Sequence, residues 1–429
     1  MLTRERILEA FHSYGAPPER WLIGGEFERI LLRPDGSSIG YDEPHGIRWL
    51  LESMRGQGWD AVMEEGNLIA LLKDGASLTL EPGGQFELSG APFRTLAELR
   101  AEISANREAL LQLTADVPMV PVAVGLTPLT AIEDIRWMPK GRYQIMQRYL
   151  PGALAHYMMK GTASVQCNYD YRDEADCADK VQVAAGLAPL TTALFANSPL
   201  YRGKPTGWMS YRGHIWTQTD PDRTGFPPGL RDDYTHERWV DYLLSVPMMF
   251  YKRHGEWLPA EGRPFLEYMT QGIHGHFPQE ADWNLHMTSV FPEVRIKQTI
   301  EVRGADCVSL PLSIAFCALF TGVFYGKQAL SDALVLAKDL STRGSREARL
   351  EAACRQGLEA HVGGRALAEW GKDLLSIAAA GLAEHDPAGQ ALLDPLHAQL
   401  DTGRSPAADL LDAWKRNPSP EQLLSYLRY

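Results

Sequence analysis

With 429 residues, 45% of them apolar and 22% charged, the chain can bury a substantial core in one large domain or two of ordinary size. Its formal net charge of −12 argues against nucleic acid or an anionic membrane as partner. The five cysteines, Cys167, Cys177, Cys307, Cys317 and Cys354, include no C-x-x-C pair, and their odd count and loose spacing fit reduced thiols in a cytoplasmic protein better than a disulfide framework or a zinc site.

In chain order, residues 3–13 are expected to form a short helix with Thr3 as N-cap. This charged start lacks the apolar centre of a signal peptide. Trp21 to Leu32 read as a strand closed by the Arg33-Pro34-Asp35-Gly36 turn. Residues 44–58 read as helix, then come strands near 60–72 and 77–81 on either side of the Lys73-Asp74-Gly75 turn. In the following run, Glu81 to Gly90, Pro82-Gly83-Gly84 breaks the ladder and lets backbone approach a ligand closely. A long amphipathic helix over 95–116 precedes a Val-rich strand over 118–127.

After a loop centred on Trp137 to Arg142, residues 143–150 are expected to be helical, 162–171 a strand and 173–196 a helix. Residues 197–230 mix glycine, proline, arginine and aromatics without a period, as functional loops do. A strand near 298–304 and a turn at Gly304-Ala305-Asp306 lead into a helix over about 310–325. Pro311, Ser313, Thr321 and Gly322 mark that helix as buried rather than membrane-spanning. From 327 onward the pattern is helical, with breaks near Gly363-Gly364, Asp386-Pro387 and Asn417-Pro418. The fold class is α+β, a mostly antiparallel sheet with helices packed around it.

Four strand-like stretches place polar side chains two positions apart: Glu26-Phe27-Glu28, Gln85-Phe86-Glu87, Gln166-Cys167-Asn168 and Glu301-Val302-Arg303. Residues i and i+2 of a strand share a face. One face of a sheet therefore collects Glu26, Glu28, Glu87 and Glu301 with an arginine and amides. So many carboxylates share a partly buried surface only if cations neutralise them or their pKa values rise. A pocket for divalent metal and a polyanion, hence ATP chemistry, satisfies that demand, with Glu81 as a further oxygen ligand.

A basic cluster of Lys140, Arg142, Arg202, Lys204, Arg212 and Arg223 is threaded with Trp137, Tyr143, Trp208, Tyr211 and Trp216, which suggests an anionic small-molecule site. Arg212 and Arg303 stand out because each falls in or near an expected buried strand. His214 and His286 are candidates for proton transfer, weighed against ordinary structural histidines. No Walker loop, Rossmann fingerprint or nucleophile elbow is present.

Several of these segments resemble plant-type glutamate–cysteine ligases. They are Glu81 to Pro92, Trp137 to Tyr143, Leu194 to Pro199, Ser210 to Gly225, Phe291 to Lys297 and Glu301 to Asp306, in order across about residues 21–325. The resemblance implies a glutamine-synthetase-like fold, a curved antiparallel sheet forming a funnel. The expected division is a catalytic domain over 1–326 and a helical region over 327–429 packed on it, in a monomer or homodimer. It also implies ATP-dependent joining of the side-chain carboxylate of L-glutamate to the amine of L-cysteine, as a first step towards glutathione or a related thiol.

Carried over by position, the resemblance makes Glu26, Glu28, Glu81, Glu87 and Glu301 ligands of Mg²⁺. Gln166 becomes a metal or nucleotide contact, Asn168, Lys140 and Arg142 nucleotide contacts, and Arg303 faces the transferred phosphate, with Arg212 binding phosphate or the glutamate carboxylate. Two positions depart from the family pattern. Phe27 stands between the first two glutamates where a polar residue is usual, and Gly161, beside Lys160, replaces an arginine. The acceptor is thus read as cysteine, with another amine or donor acid in a specialised pathway as the alternative. A non-catalytic binding protein on the same fold is the third reading, disfavoured because it has no need of so much buried like charge.

Overall fold

A computed structural model describes residues 2–230 and 233–429. Nine strands form one sheet in which every pairing is antiparallel. Seven come from the first half of the chain: β1 (Ile23–Leu32), β2 (Asp60–Glu64), β3 (Asn67–Lys73), β4 (Ala76–Leu80), β5 (Phe86–Ser89), β6 (Val120–Val122) and β7 (Ser164–Tyr169). The other two are the strands Val294–Ile296 and Ile300–Asp306. Across the sheet the order runs 294–296, 300–306, β7, β1, β5, β4, β3, β2, and β6 pairs with the far end of β1.

Most elements begin and end where their chemistry demands. Thr3 caps the helix Arg4–Ser13 by accepting from the Arg6 N–H. A reciprocal Thr95–Glu98 box opens the helix Leu96–Thr114, and Asp173 caps Glu174–Leu194. The helix Leu310–Tyr325 has the expected bounds. It turns by 101° at Gly326 into Lys327–Ser341, and no single helix among the described residues is long and apolar enough to cross a membrane.

Four expectations are corrected. The span 60–72 is a hairpin rather than one strand, because Glu65 and Gly66 both have positive φ (49° and 78°), the geometry of a tight two-residue turn. The strand over 118–127 shrinks to Val120–Val122, since Pro118 and Pro121 cannot donate to a ladder. The turn expected at Gly304-Ala305-Asp306 is instead the end of the 300–306 strand, with a bulge between Val302 and Ala305. The loops over 197–230 contain a helix, Tyr211–Thr217, capped by Ser210, so Arg212 sits on a helix that packs beside the 300–306 strand.

The sheet has two unlike faces. Val165, Cys167 and Tyr169 of β7 point to the side covered by Leu310–Tyr325, where the Tyr169 hydroxyl donates to the Cys317 carbonyl at 2.8 Å. Ser164, Gln166 and Asn168 point the other way, where Ser164 and Gln166 line a cavity. The helix Leu367–His385 packs along Leu310–Tyr325 and Lys327–Ser341 lies on Glu174–Leu194, so the later helices thicken the apolar side of the sheet. All five cysteines are buried and unpaired by disulfides.

Candidate active site

Strand register decides what the cavity contains. Glu26 lies opposite Gln166 across β1 and β7, and Glu28 opposite Glu87 across β1 and β5. Glu301 lies opposite Asn168 across β7 and the 300–306 strand. Directly opposed residues share a face, so the expected face forms: Glu26, Glu28, Glu87, Gln166, Asn168, Glu301 and Arg303 stand on one side of four adjacent strands. Glu81 and Arg142 line the cavity from its rim and Arg212 from the helix Tyr211–Thr217. The Pro82-Gly83-Gly84 turn serves packing: a Cβ at Gly83 would sit 2.1 Å from the Lys160 carbonyl oxygen. The Gln85 amide then donates to the carbonyls of Met159 and Thr162 at 3.2 and 2.8 Å, tying the turn to the segment that leads into β7.

The cavity is electrically divided. At one end Glu301, fully buried, receives Arg295 through two bonds of 2.8 and 3.0 Å, Lys297 at 2.9 Å, and Arg303. Burial alone would push its carboxyl up, but Arg295, Lys297 and Arg303 hold it well below the usual carboxylate range. Arg303 also donates to Gln166, and Arg212 donates to the Arg303 carbonyl at 3.1 Å while facing Asp306 at 3.8 Å. Glu301, expected as a metal ligand, is held here by three cations.

At the other end the carboxylates lack such partners. Glu28 accepts from the Ser164 N–H at 2.5 Å and its hydroxyl at 2.9 Å, and Glu87 accepts from Ser89 and Thr79 at 2.7 and 2.9 Å. Burial, then the charges of Glu87 and Glu81, push Glu28 up to about 8. Burial, then Glu81, likewise raises Glu87. Glu26, bonded to the Asn168 amide at 3.0 Å, is raised by burial and by Glu301. Among the described residues no three metal-ligating side chains already converge on one point. The donor chemistry still fits a hard divalent cation: Glu28, Glu81 and Glu87 offer only oxygen, repel one another, and leave coordination positions for water and phosphate.

The basic cluster of the sequence divides in space. Arg142 reaches the cavity, where its buried Nε has no partner. Lys140 is held by the Leu80 carbonyl at 2.8 Å, and burial, reinforced by Arg142, pushes it down to about 8. Arg202 and Lys204 line a separate cavity with Trp208, Tyr211 and His214, so His214 is away from the acidic stripe and stacks on Trp208. Arg223 is buried against Asp220 and the Pro247 carbonyl. His286 is buried with Nε2 2.8 Å from the Leu243 carbonyl oxygen, a structural arrangement. Asn168 is engaged by Glu26 and Thr299 and braces the stripe.

Sequence reasoning missed Arg295, Lys297 and the apolar wall of Met146, Met158, Met159, Met249 and Phe250. Arg295-x-Lys297 shows the same two-residue spacing as the glutamate pairs, and that signal could have found it. The methionines come from three unrelated segments and carry no local signal.

Comparison with known proteins agrees with this geometry. Residues 22–425 match the family model for glutamate-cysteine ligase family 2. The chloroplastic glutamate–cysteine ligase of Brassica juncea is 37% identical, covering 96% of this chain and 81% of its own. That of Arabidopsis thaliana is 36% identical over 99% and 83%. These relatives are named chloroplastic, a finding that overturns the cytoplasmic expectation. The structure of Francisella tularensis glutamate–cysteine ligase with AMP superposes with a TM-score of 0.60 at 12% identity, covering 95% of this chain and 87% of that one. A bifunctional glutathione synthetase from Pasteurella multocida superposes at 0.54 with 15% identity, over 99% and 52%. These two share the fold, an antiparallel sheet backed by helices, as expected. The chain is a member of glutamate-cysteine ligase family 2.

Proposed function

We propose that the protein joins the γ-carboxylate of L-glutamate to the amine of L-cysteine at the expense of ATP, forming γ-glutamylcysteine. The observation that carries this reading is the divided cavity: a cationic wall of Arg303 and Arg212 faces uncompensated Glu28, Glu81 and Glu87 across one sheet surface. A carboxylate is a poor electrophile until phosphorylation supplies a leaving group. In the first step a glutamate γ-carboxylate oxygen bonds to the terminal phosphorus of ATP as the bond to ADP breaks. In the second the amine attacks the acyl carbon, the carbon–oxygen bond to phosphate breaks, and the ammonium proton passes to water or a carboxylate of the stripe.

Each step builds or moves charge on phosphoryl oxygens, which preorganised donors stabilise. Arg303, fixed by Glu301 and Gln166, and Arg212, fixed on its helix, are such donors. Glu28, Glu81 and Glu87, with Glu26 beside them, would hold Mg²⁺, which when bound neutralises both the stripe and the phosphates. Arg142, with an unpartnered Nε, supplies a contact for the nucleotide phosphates.

Phosphate release from ATP and Mg²⁺ with glutamate, adding each amino acid in turn with mass detection of products, tests the proposal. Cysteine-dependent release with a γ-glutamylcysteine mass supports it. Release with a different amine alone keeps the mechanism and changes the acceptor. Silence with every pair rejects the ligase activity proposed here.

A further inference from the structure

The wall carrying Arg212 and Arg303 has a back side. Behind it lies a chamber of about 10 Å³, bordered by Arg212, Trp216, Glu293, Arg303, Thr192 and Gly304. That is room for one water, and the lining offers the several polar partners a buried water needs. Glu293 is fixed there by its backbone: its N–H donates to the Gly225 carbonyl at 3.0 Å and its carbonyl accepts from the Arg303 N–H at 3.3 Å. Its carboxylate rests over Gly304, where an added Cβ would lie 3.4 Å from Oε2. Among the described residues it forms no direct ion pair with Arg212 or Arg303. Burial raises Glu293, and the two charges that draw it back down are those same arginines.

We propose that Glu293 is a positioning residue which, through a water held in this chamber, keeps the Arg212 and Arg303 guanidiniums aimed into the catalytic cavity. A guanidinium has five donors in a fixed plane. Glu301, Gln166 and Asp306 engage these arginines from the strand side. Glu293 engages them from behind, so donors on the cavity side stay free for phosphoryl oxygens. The position suits the task because the carboxylate stabilises the arginines without lining the catalytic cavity, and so does not meet the anion it helps to bind.

This inference rests on the proposed ligase reading, and its test separates the two. Glutamate- and cysteine-dependent phosphate release is measured for wild type, Glu293→Gln and Glu293→Asp, with thermal unfolding in parallel. Calorimetric binding of adenylyl imidodiphosphate and of AMP is measured for all three. The isosteric Glu293→Gln should lower kcat about 10- to 100-fold, the scale of one oriented charge acting on a transition state. The KM for each amino acid should change less than about threefold, with wild-type Tm, and Glu293→Asp should recover part of the rate. The triphosphate analogue should bind more weakly to Glu293→Gln while AMP binds as before. A variant with wild-type kcat and unchanged triphosphate-to-AMP selectivity overturns the inference, as does a rate loss that tracks the unfolded fraction. If wild type releases no phosphate the ligase reading fails, and the selectivity for triphosphate over AMP then decides the role of Glu293 alone. If Glu293→Gln does not fold, Glu293→Asp carries the same comparison.

Discussion

Glu301 and Arg295 face each other across adjacent antiparallel strands and close a two-bond carboxylate–guanidinium pair, 2.8 and 3.0 Å long, beneath the floor of the cavity. The pair changes how the acidic stripe is read. Lys297 and Arg303 complete a ring of three cations on one buried anion.

Glu301→Ala should therefore unfold more readily. It leaves three cations around an empty place, and breaking a buried pair by removing one partner costs about 3–5 kcal/mol. Urea denaturation monitored by tryptophan fluorescence measures the loss. A midpoint equal to wild type would show that the ring contributes nothing to stability.

Divalent cation should stabilise wild type in a thermal melt, and Glu28→Gln with Glu87→Gln should abolish that gain. Glu26→Gln should weaken it partly. An undiminished Mg²⁺ shift in the double variant would remove Glu28 and Glu87 from the metal site.

Arg303→Lys should lower kcat by about 10²–10³-fold, the usual consequence of losing a preorganised donor to a developing oxyanion. A lysine offers a point charge and cannot bridge Glu301, Gln166 and a phosphoryl oxygen in one plane. Steady-state phosphate release reads the outcome, and a loss under about threefold would remove Arg303 from the transition state.

Gly161→Arg should not return a guanidinium to the cavity. A Cβ there would come within 2.4 Å of Ile132 Cδ1 and 3.1 Å of Leu126 Cδ1, so the side chain is driven into packed apolar wall. Lys160 is no substitute, being tied to the Ile135 carbonyl at 3.0 Å over the Trp137 ring. Overpacking of this kind costs about 1–3 kcal/mol. A stable variant with altered acceptor preference would refute this placement.

Stability should fall as pH drops from about 6.5 towards 4, in part through His286. Burial pushes its imidazole down to about 4 from an unfolded value near 6.5. The unfolded chain thus binds the proton first, and the contribution is full above pH 6.5 and gone below 4. At 1.36 kcal/mol per pKa unit this amounts to on the order of 3 kcal/mol. His286→Gln should flatten that part of the profile in urea melts taken across the window. An unchanged slope would assign it elsewhere.

Much of the site was legible because it lies on strands. Glu26 and Glu28, Gln166 and Asn168, and Glu301 and Arg303 announce a shared face by spacing alone, since a strand has a period of two. Their assembly into one stripe depends on the order β5, β1, β7, 300–306, which is tertiary information. Arg202, Lys204 and His214 looked like part of the same cluster because they are near Arg212 in sequence. A helix separates neighbours by 100° per residue, however, so Arg212 faces the catalytic cavity while Tyr211 and His214 line another. The Glu65-Gly66 turn lies in the short polar break Glu64 to Asn67 between two apolar runs, which the strand reading bridged, and the helix Ala155–Gly161 was hidden by its shortness. The reading was silent over most of 233–297, a stretch of short helices and strands that contributes Met249, Phe250 and Arg295 to the cavity.

The alternation along β7, with Ser164, Gln166 and Asn168 towards the cavity and Val165, Cys167 and Tyr169 towards the helix 310–325, limits how such a protein can diverge. Inserting or deleting one residue in that strand would exchange the two sets, sending apolar side chains to the ligands and polar ones into the core. New substrate preferences on this scaffold must therefore arise by replacement at fixed strand positions or by remodelling the rim. Length variation among descendants should accumulate in the connecting loops and be absent from the four strands that carry the stripe.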